Sequence, residues 1–251
     1  MSTDTVEMMF REFHLPTMAA RCAQMMESAE AQNWGYRRLL VELCEAEGAE
    51  RRERKRERLI RESGLPQGKT LGNLEESKLP DKVRRQLATL MEGGFVERAE
   101  NLLVFGLPGR GKSHFLAALG RELVLRHAMA VSFTSTFKLV QQLLSAKKEL
   151  RLDNLLKKLD RYDAVILDDL GYVQQSREEM EVLFTFLAER YERRTVMVSS
   201  NLVFSKWDQI FKDPMTTMAA VDRLVHHAII LEFNGESLRT GKEKEKKDAT
   251  P

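Results

Sequence analysis

Asn101-Leu102-Leu103-Val104-Phe105-Gly106-Leu107-Pro108-Gly109-Arg110-Gly111-Lys112-Ser113 is the stretch on which the fold turns. Its last eight residues fit G-x-x-x-x-G-K-[ST], a loop whose backbone N–H groups wrap the phosphates of a nucleotide. The three glycines let the backbone approach an anion with no Cβ in the way. Lys112 can reach the β- and γ-phosphates, and the Ser113 hydroxyl can ligate Mg²⁺. By accident the four fixed positions recur in roughly one chain per hundred of this length, so the flanks decide. Upstream lies an apolar strand, and downstream a helical pattern from Lys112 to about His127. That helix aims the positive end of its dipole at the loop. The candidate nucleotide contacts are therefore Gly106, Pro108, Gly109, Arg110, Gly111, Lys112, Ser113 and His114.

Further along, Val165-Ile166-Leu167-Asp168-Asp169 is an apolar strand ending in two carboxylates. Behind a phosphate loop, this is the arrangement in which Asp168 holds Mg²⁺ and Asp169 orients or deprotonates the attacking water. Thr195-Val196-Met197-Val198-Ser199-Ser200-Asn201 is another such strand, and Asn201 at its end is expected to point at the γ-phosphate or the water. Strands are expected at 101–105, 130–134, 164–167, 195–199 and 228–233, and helices at 112–127, 137–150, 152–160, 177–193 and 215–226. Short apolar strands alternating with helices imply an α/β fold: a five-stranded parallel sheet covered on both faces.

Before residue 65 the pattern is helical. Leu15, Met18, Cys22, Met25 and Ala29 recur at helical spacing behind Pro16, which suits a first turn. A second helix runs from Tyr36 towards Arg61, and its last part, 51–61, carries seven basic residues against Glu53 and Glu57. That surface reads either as a solvated face or as a phosphate-contacting one. The expected division is an N-terminal all-helical domain at 1–64, a linker and lead-in at 65–99, the nucleotide domain at 100–240 and a charged, disordered tail at 241–251.

Composition bounds the rest. Forty basic residues nearly cancel 38 acidic ones, so a nucleic-acid role must rest on local clusters and not on net charge. Cys22 and Cys44 lack any partner motif, which fits a reducing compartment. No apolar run reaches the roughly 18 to 20 residues needed to span a bilayer, and the N-terminus lacks a signal peptide's basic start. The expected location is the cytoplasm, with no membrane contact. His226-His227 has the look of a metal pair without further ligands, and reads as structural. Trp207, after Phe204, reads as a core anchor.

In this order the motifs resemble an AAA+ ATPase of the branch that contains DnaA and DnaC. Tyr162-Asp163-Ala164-Val165-Ile166-Leu167-Asp168-Asp169-Leu170-Gly171-Tyr172-Val173, Ser176-Arg177-Glu178-Glu179, Arg190-Tyr191-Glu192-Arg193-Arg194 and Ser200-Asn201-Leu202 narrow the likeness. So do Phe204-Ser205-Lys206-Trp207, Asp213-Pro214 and Asp222-Arg223-Leu224-Val225-His226-His227-Ala228. Together they resemble the IstB-like helper ATPases of bacterial insertion sequences, from Leu15-Pro16 to Gly235-Glu236-Ser237. Many relatives carry Glu where this chain has Asp169, and Ser-Tyr-Arg where it has Ser237-Leu238-Arg239.

The resemblance implies an AAA+ core without the C-terminal lid, binding ATP and Mg²⁺ between subunits of a homo-oligomer. It implies an arginine finger given to the neighbouring subunit, with Arg223 as the candidate and Arg190 or Arg193 as fallback. The helices at 137–150 and 152–160 fill the place of an insertion that touches nucleic acid in several members. Lys138, Lys147, Lys148, Arg151, Lys157 and Lys158 are then candidate contacts to the phosphates of duplex DNA, without sequence readout. The expected function is an ATP-dependent assembly factor that oligomerises on DNA, recruits and activates a transposase, and comes apart on hydrolysis. The alternatives are a DnaC-like helicase loader, a small-molecule P-loop kinase and a non-hydrolysing ATP switch.

Overall fold

The computed structural model describes residues 3–171, 176–202, 206–207 and 214–234. The motif residues at 172–173, 204–205, 213 and 235–239 and the tail at 241–251 lie outside them. By internal contacts the chain divides into two units, Met1–Arg58 and Leu59–Pro251.

The first unit holds α1 (Thr3–Glu12), α2 (Pro16–Ala31) and most of α3 (Tyr36–Glu62). Met18, Cys22 and Leu43 form its small core, with Phe10, Leu15, Met25 and Leu39 against them. Glu47 of α3 is buried at the start of α2 and accepts from the amides of Thr17 (2.8 Å) and Met18 (3.1 Å). Those amides have no acceptor within a helix that begins there, so a carboxylate meets both the orphan donors and the dipole.

In the second unit come α4 (Asp81–Met91), the single turn α5 (Gly94–Glu97), β1 (Asn101–Phe105), α6 (Lys112–His127), β2 (Val131–Ser135), α7 (Thr136–Lys148) and α8 (Leu152–Leu159). These are followed by β3 (Ala164–Leu170), α9 (Arg177–Arg190), β4 (Thr195–Ser200), α10 (Pro214–Val225) and β5 (Ala228–Glu232). All strands are parallel, in the order β2-β3-β4-β1-β5. Successive strand residues point to opposite faces, and each face has its own core. Leu102, Val104, Ile166, Met197 and Leu231 pack with α6 and α4, whereas Leu103, Phe105, Val165, Leu167, Val196 and Val198 pack with α7 and α9. This accounts for the near-continuous apolar strands: neither face meets water.

The stretch 65–99 is packed into the first of these cores through Leu65, Leu74, Leu79, Val83, Leu87 and Phe95. Just ahead of this stretch the backbone meets the sheet, where the Phe133 amide donates to the Ser63 carbonyl at 2.7 Å. Trp207 is fully buried against Phe105, and its indole N–H donates to the Leu202 carbonyl at 3.1 Å.

The chain leaves β1, beside the β5 edge, crosses through α6 to the far edge at β2, and returns through β3 and β4. The sequence direction of the strands therefore reverses beside β1, and a crevice opens at the carboxyl ends of β1 and β4. In open parallel sheets that is where ligands bind.

Candidate functional site

The phosphate loop occupies this crevice. Gly109 and Gly111 have φ of 82° and 86°, in the left-handed region that favours glycine. Gly111 caps α6, so the first amides of that helix face the loop. Gly106 is required for another reason: a Cβ there would lie 2.5 Å from the Phe233 carbonyl oxygen. Lys112 is buried, and its ammonium donates to the loop carbonyls of Gly106 (2.5 Å) and Leu107 (3.0 Å). The cation is thus held over the loop, where the β- and γ-phosphates of a nucleotide would lie.

A cleft of about 330 Å³ runs along the loop. Pro108, Gly109, Arg110, Gly111, Lys112, Ser113 and His114 line it together with Asp169 and Asn201. Three segments far apart in sequence are thereby brought to one space. The sequence reading missed the opposite wall, made by Lys69, Asn73, Leu74 and Glu75. That polar loop carries no motif, and only its packing places it here. His114 is turned to the same segment, with its Nε2 2.9 Å from the Thr70 carbonyl oxygen.

Asp168 and Asp169 part company at the end of β3. Between Leu167 and Leu170 the register with β4 shifts, and Asp169 takes a left-handed φ of 58°. Asp169 is exposed at the cleft whereas Asp168 is buried. Ser199 of β4 makes the difference. Its hydroxyl donates to the Asp168 carboxylate at 2.6 Å and accepts from the Asp169 amide at 2.9 Å. The Thr136 hydroxyl donates to the Asp168 carbonyl oxygen at 3.1 Å. One residue on, the Ser200 hydroxyl donates to the Leu170 carbonyl (2.8 Å) and accepts from the Leu202 amide (3.1 Å), fixing the turn that carries Asn201.

This arrangement fits a nucleotide with Mg²⁺. Backbone amides and a buried ammonium suit phosphates, and the Ser113 hydroxyl and the Asp168 carboxylate are hard oxygen donors of the kind Mg²⁺ takes.

The arginines lie elsewhere. Arg223, in the last turn of α10, donates to the Ala219 carbonyl at 3.1 Å and rests its guanidinium 4.4 Å from the centre of the Phe184 ring. It is not among the residues lining the cleft of its own chain. Asn101 steadies this end of α10, donating to the carbonyls of Arg223 (3.3 Å) and Leu224 (3.1 Å) while accepting from the Val196 amide (2.9 Å). The fallback reading of Arg190 as a finger is corrected. Arg190 is 2% exposed, and its guanidinium donates to the carbonyls of Leu159, Tyr162 and Thr195 at 2.9 to 3.0 Å. Burial pushes its pKa down to about 10, which leaves it charged at neutral pH but committed to the interior. Arg193 pairs with Asp160 at 2.8 Å.

The six basic residues of α7, α8 and their junction are all exposed. Two are engaged within the chain, Lys147 with Glu181 (3.0 Å) and Arg151 with Glu149 (3.6 Å). Among the described residues no helix is long and apolar enough to cross a membrane.

Comparison with known proteins matches residues 8–247 to the family described as IstB-like ATP binding protein. An insertion sequence ATP-binding protein of Sinorhizobium fredii is 42% identical over 92% of this chain and 78% of its own length. The insertion sequence IS5376 ATP-binding protein of Geobacillus stearothermophilus is 35% identical over 90% of each. The crystal structure of the DnaC helicase loader superposes with a TM-score of 0.52 at 19% identity, covering 61% of this chain and 89% of that one. At that identity the likeness concerns the fold alone.

Proposed function

Because this chain belongs to the IstB-like ATP-binding protein family, we propose that it is an ATP-hydrolysing assembly factor of an insertion sequence, acting in the cytoplasm. The carrying observation is the single cleft shared by the phosphate loop, Asp169 and Asn201. The reaction is ATP and water to ADP and phosphate. Loop amides and Lys112 hold the β- and γ-phosphates, while Ser113 and Asp168 hold Mg²⁺. When bound, Mg²⁺ neutralises charge developing on the phosphates. Asp169 orients the attacking water from outside the γ-phosphate, and Asn201 fixes the other side of that water or the phosphate. The Asp169 side chain is one methylene shorter than the Glu of many relatives, so turnover is slow.

The site is half of a whole. Arg223 serves the cleft of the next subunit, where a cation on the γ-phosphate is worth several kcal/mol. ATP thereby joins subunits, the exposed lysines of α7 and α8 grip duplex DNA through its phosphates, and the oligomer recruits and activates a transposase. The helical first unit supplies contacts to partners and DNA. Hydrolysis takes the assembly apart.

Phosphate release and particle imaging, with and without duplex DNA and a non-hydrolysable ATP analogue, test this. Lys112→Ala should abolish nucleotide binding and assembly, whereas Asp169→Asn should assemble and stay assembled. Normal hydrolysis by Asp169→Asn would remove that carboxylate from its role. Monomers in every condition would overturn the assembly reading.

A further inference from the structure

At the end of the sheet opposite the cleft, the turn leading into β4 and the turn leading into β5 bring three ligand-type side chains together. Glu192 follows α9, and His226 with His227 follows α10. The Glu192 carboxylate Oε1 lies 3.7 Å from His226 Nδ1 and 3.6 Å from His227 Nε2. All three donor atoms fall within 4.8 Å of one another, and all three residues are exposed. The geometry points to a divalent transition-metal site of the zinc class, with two imidazoles and one carboxylate as protein ligands and solvent completing the shell.

The distances carry the argument. Bonds of about 2.0 to 2.2 Å at tetrahedral angles place donor atoms roughly 3.3 to 3.5 Å apart. The two short separations exceed that by a few tenths of an ångström, which rotation of exposed side chains can close. Two nitrogens and one carboxylate oxygen form the donor set of zinc sites that keep an open position. Glu192 is presented by a left-handed backbone, φ 56°, so the turn itself aims it across to the histidines. The imidazoles stand edge to face with centroids 4.3 Å apart, which keeps both rings directed at the shared space. The Tyr191 hydroxyl lies 2.9 Å from His226 Nδ1 and also bonds the Glu192 side chain, so a metal at Nδ1 displaces the first contact and leaves the second to orient the carboxylate.

The nearby arginines do not repel an ion from within the cluster. Arg193 and Arg194 are turned to Asp160 and Asp163, each at 2.8 Å. Asp222 adds negative charge near Tyr191, while Glu100 near His227 is paired with Arg98 at 2.9 Å. A bound ion would staple the α9–β4 turn to the α10–β5 turn, three residues after Arg223. The site itself stands apart from the ATPase reading.

The test uses the full chain with any histidine tag removed. Titration with Co²⁺ should give the intense visible bands of a four-coordinate ion at one equivalent per chain. Competition with a chromophoric chelator should give one Zn²⁺ per chain, with affinity about tenfold weaker or worse in Glu192→Gln and in His227→Ala. Lys112→Ala should bind metal as the parent does, which separates this result from any failure at the nucleotide site. Circular dichroism checks that each variant is folded. Only the weak bands of six-coordinate Co²⁺, or Zn²⁺ binding undiminished in folded Glu192→Gln and His227→Ala, would overturn the assignment.

Discussion

Ser199 shows how much one buried hydroxyl can decide. It holds the Asp168 carboxylate on one side and the Asp169 amide on the other, so it sets both the proposed metal ligand and the backbone that turns Asp169 outward. Ser199→Ala removes one hydrogen bond to a charged group, worth about 1.5 kcal/mol, or roughly a tenfold loss in turnover. ATP affinity should change by less than about twofold, because Lys112 and the loop amides stay in place, and Ser199→Thr should restore the rate. Single-turnover phosphate release beside nucleotide binding measures both, and an unchanged rate in the alanine variant would strip Ser199 of this role. The loop residues at 106–113 are legible in the sequence because their chemistry lies in consecutive positions. Ser199 is not, because its task exists only once β3 lies beside β4 in register.

Between elements, two buried charges act as fasteners. Arg190 ties the end of α9 to the end of α8 and to the start of β4 through carbonyls. Arg190→Ala removes a charged donor from those carbonyls, of which Leu159's keeps its bond from the Tyr162 amide at 3.1 Å, and should cost at least about 3 kcal/mol in urea unfolding of the full chain. Glu47 fastens α3 to the start of α2, with Arg51 on its second oxygen at 2.8 Å. Burial alone would raise its pKa, but the Arg51 side chain and the amides of Met18 and Thr17 outweigh it and hold the carboxyl below its ordinary value. Its stabilisation is therefore complete above that ordinary value and is lost as pH falls through the lower folded one. Hydrogen exchange at the Thr17 and Met18 amides of the full chain should quicken as pH falls through that window, relative to the intrinsic rate. Glu47→Gln should show the faster exchange at neutral pH, corresponding to about 2 kcal/mol, with little further change on acidification. Element types and most boundaries are readable in advance, since α6 and β1 end where their patterns do. The fasteners are not, because each joins residues some 30 positions apart.

For the whole molecule, the proposed grip on DNA makes a quantitative prediction. Each phosphate contact contributes about 0.9 to the slope of log affinity against log salt. Replacing Lys138, Lys148, Lys157 and Lys158 together by Gln should flatten that slope by about 3.6, measured by anisotropy on duplexes of unrelated sequence with an ATP analogue present. Lys147 and Arg151 should matter less, being paired with Glu181 and Glu149. An unchanged slope would move the DNA to another face, such as the basic part of α3. The sequence by itself determined the phosphate loop, the acidic strand end, the alternation that makes a parallel sheet, and the family. All of these are patterns along neighbouring residues, written in spacing and periodicity. Only the tertiary structure decided that 69–75 walls the cleft, that Arg190 is locked in the interior, and that Glu192 stands beside His226 and His227. Those relations depend on which elements pack together and in what register, and that packing is a property of the whole core, spread over too many weak contacts for any short stretch to carry it.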